Sequence, residues 1–278
     1  MAERDEKLRE IQKRYTYAKG RWEETYRLAR DDRKFLLPGG QWDEAARSAR
    51  EDDPNGSRPC LESPRLEQYI RQVVNDARQN TPTIRFRPVK EGSSQEVAEI
   101  LNDIVRADQD ASGADAAYDQ ALEDGVRSSF GFFRLLSDYE DDATLNQRVR
   151  MKSERNPLCI TIDPDFRELD GSDIGYAFVE CSMPRERFEL EYPDADPVAF
   201  GDYSEQGWAE EDAVRVCEYY EITKETETLY FDKFGERTTK GAKDSVSRES
   251  TRRKVKWYKL TGAEIIETTD VPGEFIPV

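Results

Sequence analysis

The chain has 278 residues, 36% of them charged and 36% hydrophobic, with a mean hydropathy of -0.89, so it can bury a core, but a lean one. Its 59 acidic residues against 42 basic ones give a net charge of -17, which repels a phosphate backbone and disfavours a protein that wraps nucleic acid. It contains no histidine, which excludes Ser-His-Asp triads, Cys-His dyads, H-E-x-x-H zinc sites and histidine acid–base chemistry.

Residues 1–50 read as helical, with Tyr15, Trp22, Tyr26 and Ala29 recurring at three-to-four spacing among alternating acids and bases. A break is expected at Leu37-Pro38-Gly39-Gly40, then a shorter helix between Trp42 and Arg50, then a loop at Asp52-Asp53-Pro54-Asn55-Gly56-Ser57. Over 65–80, Leu66, Tyr69, Ile70, Val73, Val74 and Ala77 share one helical face, which predicts a helix packed on a core. Pro82 stops it. Ile84 and Phe86 then alternate with Arg85 and Arg87, the period of a half-buried strand over 83–89.

Ser93-Ser94-Gln95-Glu96 matches a capping box and opens another amphipathic helix with Val97, Ile100, Leu101, Ile104 and Val105 along one face. An alanine-rich stretch, 113–126, continues helical with small residues suited to close packing. After Ser128 the character changes to short strand-like runs at 131–136, 148–152, 158–162, 176–180, 214–222, 227–232, 252–260 and 264–268. One short helix is expected at 184–191, capped by Ser182 and with Pro184 in its first turn. The expected fold is α+β, N-terminal amphipathic helices followed by a β-rich layer. It divides into a helical segment and loop (1–57), a helix-strand-helix region (58–128) and a β-rich region (129–278).

Cys60, Cys159, Cys181 and Cys217 form no C-x-x-C pair, so they read as reduced, partly buried thiols, with no zinc site and no disulfide framework. The first residues lack the apolar core of a signal peptide, and 18 consecutive apolar residues occur nowhere, so synthesis in the cytosol and no membrane partner are expected. The apolar, extended end at 271–278 reads as a chain that is cut or that continues in a longer product.

Acids concentrate twice. Asp163, Asp165, Glu168, Asp170 and Asp173 have spacing that suits oxygen ligation of Ca²⁺ or Mg²⁺. The EF-hand pattern nevertheless fails, since Arg167 stands at a ligand position and Glu168 at the required glycine, and Asp-Pro-Asp and Asp-Gly-Ser-Asp are ordinary turn sequences. Asp138, Glu140, Asp141 and Asp142 follow a predicted strand, where metal-dependent hydrolases place carboxylates, but a solvated hairpin tip is the simpler reading. No phosphate-binding glycine motif or nucleophile elbow is present, and no cofactor is expected.

Basic residues gather at Arg85, Arg87 and Lys90, and at Arg248, Arg252, Arg253, Lys254 and Lys256 before Trp257 and Tyr258. Such strands can bind nucleic acid, yet pairing with the surplus acids, within the chain or across a subunit boundary, is the preferred reading. Trp208, Tyr219, Tyr220 and Tyr230 read as core or interface anchors.

The stretch 58–89, RPCLESPRLEQYIRQVVNDARQNTPTIRFRPV, resembles the N-terminal region of portal proteins from short-tailed, podovirus-type phages. Residues 131–139 (GFFRLLSDY), 162–180 (IDPDFRELDGSDIGYAFVE) and 261–278 (TGAEIIETTDVPGEFIPV) are similar in the same order. The resemblance implies the wing-type region of a head-to-tail connector at one capsid vertex of the virion, assembled in the host cytoplasm as a ring, usually a dodecamer. Its implied partners are further copies of itself, terminase, capsid and scaffolding proteins, tail adaptors, and double-stranded DNA that passes without sequence-specific binding. It implies no catalytic residue. Such portal subunits are longer than this chain, which therefore corresponds to an N-terminal part.

In that setting, carboxylates facing a lumen would keep DNA mobile by like-charge repulsion, and the mixed-charge helices over 1–50 and 65–112 are candidate faces between copies. Two alternatives remain open from the residues alone. One is an acidic metal-dependent hydrolase using the Asp138 or Asp163 cluster, and the other a generic intracellular adaptor.

Overall fold

The computed structural model describes residues 2–52, 54, 56–80, 83–89, 94–168, 170–198, 200, 213–232, 237–239 and 246–278. Its helices are α1 (Ala2–Leu36), α2 (Glu44–Glu51), α3 (Leu66–Arg78), α4 (Gln95–Ser112), α5 (Ala114–Ser128) and α6 (Arg185–Glu191). The strands are β1 (Phe133–Tyr139), β2 (Gln147–Ser153), β3 (Ile160–Ile162), β4 (Tyr176–Pro184), β5 (Ala213–Phe231), β6 (Arg237–Thr238), β7 (Val246–Leu260) and β8 (Ile265–Val271). The fold is α+β, with every described strand pair antiparallel. Two compact units result, 1–22 with 159–276 and 23–158 with 277–278, and the boundary falls inside α1.

The first unit is built on a sheet of order β3-β4-β5-β7-β8, with β6 attached to the far end of β5. Strand alternation sends odd and even residues of β5 to opposite faces. On one face Cys217 and Tyr219 join Phe178, Tyr258, Leu260 and Ile265, and Leu8, Ile11 and Tyr15 of α1 cover them. The spacing of those three helical residues places them on one stripe, so the helix is amphipathic toward the sheet even though most of its surface is charged. On the other face Val214 and Val216 pack with Phe188 of α6. This sheet is therefore covered by helix on both sides near its middle, and the central strand is buried on both faces over 214–217.

In the second unit α3, α4 and α5 gather with the β1–β2 hairpin. Gly113, in the left-handed region at φ 62°, ends α4 and begins α5, the bend that only glycine adopts without strain. Ala114 and Ala117 are buried, as small residues at a close helix approach should be. Arg33 of α1 reaches the buried Asp124 at 2.5 Å and Ser128 at 3.1 Å. Arg127 grips Glu67 of α3 with two guanidinium nitrogens, at 2.9 and 2.8 Å. Tyr118 meets Phe133 edge-on at 5.1 Å and so seats the hairpin on α5. Gly131 lies so close to α5 that a Cβ there would sit 1.9 Å from the Ala121 carbonyl oxygen, which accounts for the glycine opening the GFFRLLSDY run.

Several sequence expectations are corrected. Of the six apolar residues on the expected face of α3 only Val74 is buried, while Leu66, Tyr69 and Val73 are exposed. The helix is turned so that Glu67, Ile70, Val74 and Ala77 face inward. On α4 the buried residue is Ala98, and Val97, Ile100, Leu101 and Ile104 are exposed. Residues 83–89 are exposed and join no strand ladder among the described residues; Asn102 instead binds both the N–H and the carbonyl of Phe86, at 2.7 and 3.3 Å.

The two runs at 214–222 and 227–232 are one 19-residue strand, β5. Ser182 lies within β4, and α6 starts after Pro184 without a side-chain cap. Ser93 of the expected capping box lies outside the described residues, and Ser94 holds the N-cap position without a side-chain hydrogen bond.

Candidate interaction surfaces and a buried ionic site

Asp163, Asp170 and Asp173 are occupied within their own loop, and Asp165 accepts the hydroxyl of Tyr17 on α1 at 3.2 Å. Asp163 accepts the N–H of Asp165 at 3.1 Å and of Gly175 at 3.2 Å, and Asp173 accepts those of Arg167 at 2.7 Å and Glu168 at 3.2 Å. Asp170 accepts the Ser172 N–H at 3.0 Å, which holds its carboxyl below the usual range. The Asp163–Asp165 and Asp170–Ser172 contacts are Asx-type turns, the arrangement that Asp-rich turn sequences favour. Asp163→Ala should therefore destabilise the first unit by about 1 kcal/mol. Adding Ca²⁺ or Mg²⁺ should leave the melting curve of the parent chain unchanged, and a divalent-dependent rise that Asp163→Ala abolishes would favour a metal site instead.

Asp138, Asp141 and Asp142 are exposed at the β1–β2 turn, where Asp141 accepts the Ala143 N–H at 2.7 Å and Glu140 pairs with Arg148 at 2.7 Å. That turn is a solvated hairpin tip. Among the described residues no three His, Cys, Asp or Glu side chains are grouped to hold a metal ion, and no helix is long and apolar enough to cross a membrane.

Of the basic clusters, Arg85 and Arg87 lie on the exposed segment 83–89, and Lys90 lies outside the described residues. The second cluster lies on β7. Lys254 pairs with Glu225 at 2.7 Å, and Arg253 donates to the Ser172 carbonyl at 2.6 Å and covers the Phe275 ring at 5.2 Å. Trp257 donates its indole N–H to Glu218 at 3.0 Å and Tyr220 its hydroxyl to the same carboxylate at 2.9 Å, so these aromatics are tied to the sheet. Tyr219 is fully buried, Tyr230 is half-buried, and Trp208 lies outside the described residues. None of the four cysteines is in a disulfide, and burial pushes the Cys217 thiol well above its ordinary range, which makes it unreactive.

A cluster that the sequence did not reveal lies between α1 and the sheet. Glu221, at the end of the two-sided part of β5, has a side chain only 6% exposed. It accepts Lys7 at 2.9 Å, Arg14 at 3.0 Å and the hydroxyls of Tyr219 at 3.2 Å and Tyr258 at 2.8 Å. Burial alone would raise its pKa, but the Lys7 and Tyr258 hydrogen bonds and the two cations outweigh it, and the net shift is downward. Tyr219 and Tyr258 are driven far above the ordinary phenol range, first by burial and then by the Glu221 charge, so both remain donors. Deeper under the helix, Glu180 accepts the Tyr15 hydroxyl at 2.8 Å and pairs with buried Arg215 at 3.3 Å.

The carboxylates, hydroxyls and cations of this cluster are directed at one another. Its chemistry is that of a clamp: it fixes the rotation and register of α1 on the sheet, a specificity that apolar contacts alone supply poorly. The signal for it was the pattern Arg215-x-Cys217-x-Tyr219-x-Glu221, which puts two charges on a strand face that is otherwise apolar.

The family described as phage P22-like portal protein matches this chain over residues 12–278. A similar curated protein, named "Portal protein", from Acyrthosiphon pisum secondary endosymbiont phage 1, is 28% identical over 247 residues, covering 79% of this chain and 34% of that protein. The chain thus spans about a third of that relative's length.

Proposed function

This chain belongs to the phage P22-like portal protein family, and from that premise we propose that it is part of the subunit of a closed ring at one vertex of a phage head. The ring, expected to be a dodecamer, is the conduit for packaging and ejection of double-stranded DNA. Terminase, capsid and scaffolding proteins and, after packaging, tail adaptors dock on it. The role is architectural and non-catalytic, and the protein resides in the virion after assembly in the host cytoplasm. The observation that carries this reading is the family match across nearly the whole chain.

Two structural features support it. The apolar stripes Leu66, Tyr69 and Val73 on α3 and Val97, Ile100, Leu101 and Ile104 on α4 are exposed, far more than an isolated chain normally leaves open. In a ring every interface is heterologous, so each subunit must carry two unlike faces, and uncovered helical stripes are suited to such a role. The net charge of -17 also suits a passage that must not grip DNA, since like charge keeps the duplex mobile.

Negative-stain microscopy of the purified chain, and of any longer product that contains it, tests the proposal. Closed annuli are the expected result. A species that stays single at every concentration would refute the ring.

A further inference from the structure

β4 stops pairing at Tyr176↔Glu221 and β8 at Val255↔Val271. Beyond these points β5 and β7 continue together, from Thr223↔Lys254 to Phe231↔Val246. Nine register pairs at the rise of a strand carry this ribbon about 30 Å past the sheet. Residues 224–228 of β5 and Val246, Ser247, Arg248, Glu249, Thr251 and Arg252 of β7 are exposed. Among the described residues only β6 adds to it, at Tyr230 and Phe231. Among the described residues both faces of the shaft, and both edges over most of its length, are therefore open.

A two-stranded ribbon with no sheet or helix behind it is marginal in water, and unpaired strand edges are ready to be covered. Thr226, Thr228 and Thr251 favour extended backbone but are exposed. Val246 at the far end is 67% exposed, an apolar tip on a polar shaft.

The charge of the ribbon runs against that of the chain. Lys224, Arg248, Arg252, Arg253 and Lys254 outnumber Glu225, Glu227 and Glu249, on a protein whose net charge is -17. Near the root the cations are used internally, Lys254 on Glu225 and Arg253 on Ser172 and Phe275. Farther out, Arg248 stands opposite Leu229 and Arg252 opposite Glu225. Glutamates interleaved with the cations would repel a phosphate backbone, whereas a mixed, net-positive strip complements a mixed, net-acidic protein surface.

We propose that the β5–β7 ribbon is an arm that lies along the acidic surface of a second copy of this chain. The inference rests on the ring reading above: a net-positive arm and a net-acidic body are two unlike surfaces, as a heterologous contact needs. The arm gains the cover that its open edges lack, and each copy gains a link to its neighbour that does not depend on the apolar stripes of α3 and α4.

The test uses a photo-crosslinking amino acid at Thr228, an exposed position on the shaft, together with the charge reversal R248E/R252E. In annuli of the parent chain the crosslink should join two copies and map to peptides rich in Asp and Glu. The reversal should raise the protein concentration needed for assembly roughly tenfold, with an unchanged melting temperature showing that the fold persists. Annuli that form normally while Thr228 yields adducts only within its own chain would overturn the arm and leave the ring standing. Inter-copy adducts at Thr228 in a species that never closes into annuli would keep the arm and refute the ring. Adducts to added duplex DNA in place of protein, lost on charge reversal, would overturn the arm in favour of a nucleic-acid contact.

Discussion

Phe178→Ala is expected to destabilise the first unit by about 3 to 5 kcal/mol, the cost of removing a fully enclosed aromatic ring and leaving a cavity. Phe178 is 0% exposed, and its ring meets Tyr15 at 5.3 Å, Tyr219 at 4.8 Å and Tyr176 at 5.8 Å between centroids. Tyr15 and Tyr219 cannot collapse into the gap, because their hydroxyls are held by Glu180 and by Arg14 and Glu221. The loss is measured as a lower urea midpoint with an unchanged slope. Since one wall of the cavity belongs to α1, hydrogen exchange should also quicken at Ile11 and Tyr15. A control, Thr226→Ala on the exposed ribbon, should stay within about 0.5 kcal/mol, and equal effects of the two changes would contradict the assignment of the core.

Glu221→Ala should cost about 3 kcal/mol. Removing one member of a buried ionic cluster leaves the others without compensation, typically about 3 to 5 kcal/mol, but Lys7 and Arg14 are 26% and 37% exposed and recover part of their hydration. Glu221→Gln keeps the shape and should cost less. The pH dependence separates charge from packing. The folded-state pKa of Glu221 is depressed, so its contribution is complete above its unfolded value of about 4.3 and is lost as pH falls through the lower folded value. The parent chain should therefore lose stability below about pH 4.3 more steeply than Glu221→Gln does. Parallel stability curves in the two proteins would show that Glu221 has the same pKa folded and unfolded, so that its charge adds no stability.

The sequence made the order of elements legible, because that order follows from local periodicity and turn chemistry. The break at Leu37-Pro38-Gly39-Gly40, the return of helix at Glu44–Glu51 and the change to strands after Ser128 were all expected from the residues. What covers an apolar face is not a local property. The stripe on α4 has the periodicity of a buried helix, yet the alanine at 98 is what faces inward, and Val97, Ile100, Leu101 and Ile104 are exposed. Ile84 and Phe86 alternate like a strand, but a strand needs a partner, which 83–89 does not meet among the described residues.

β5 was split in two because its outer half has no buried face. Lys224, Glu225, Thr226 and Glu227 carry no alternation when water is on both sides, and only the cross-strand register with β7 reveals that the strand continues. The ionic cluster was hidden for a different reason. Its members come from opposite ends of the chain, and pairing at such distance leaves no periodic trace; only the charges at Arg215 and Glu221 on an apolar strand face hinted that something polar would meet them.

Lys7 and Glu221 are 214 residues apart. On a ribosome adding about 5 to 20 residues per second, the helix that carries Lys7, Leu8, Ile11 and Tyr15 emerges roughly 10 to 40 s before the strand it will clasp has been made. During that interval it displays an apolar stripe with nowhere to put it. The same delay works in reverse on the other unit, where the N–H of Leu135 binds the carbonyl of Pro277. Each unit is completed by residues translated long before or long after the rest of it, so the order of synthesis, and not only final stability, enters the folding of this protein.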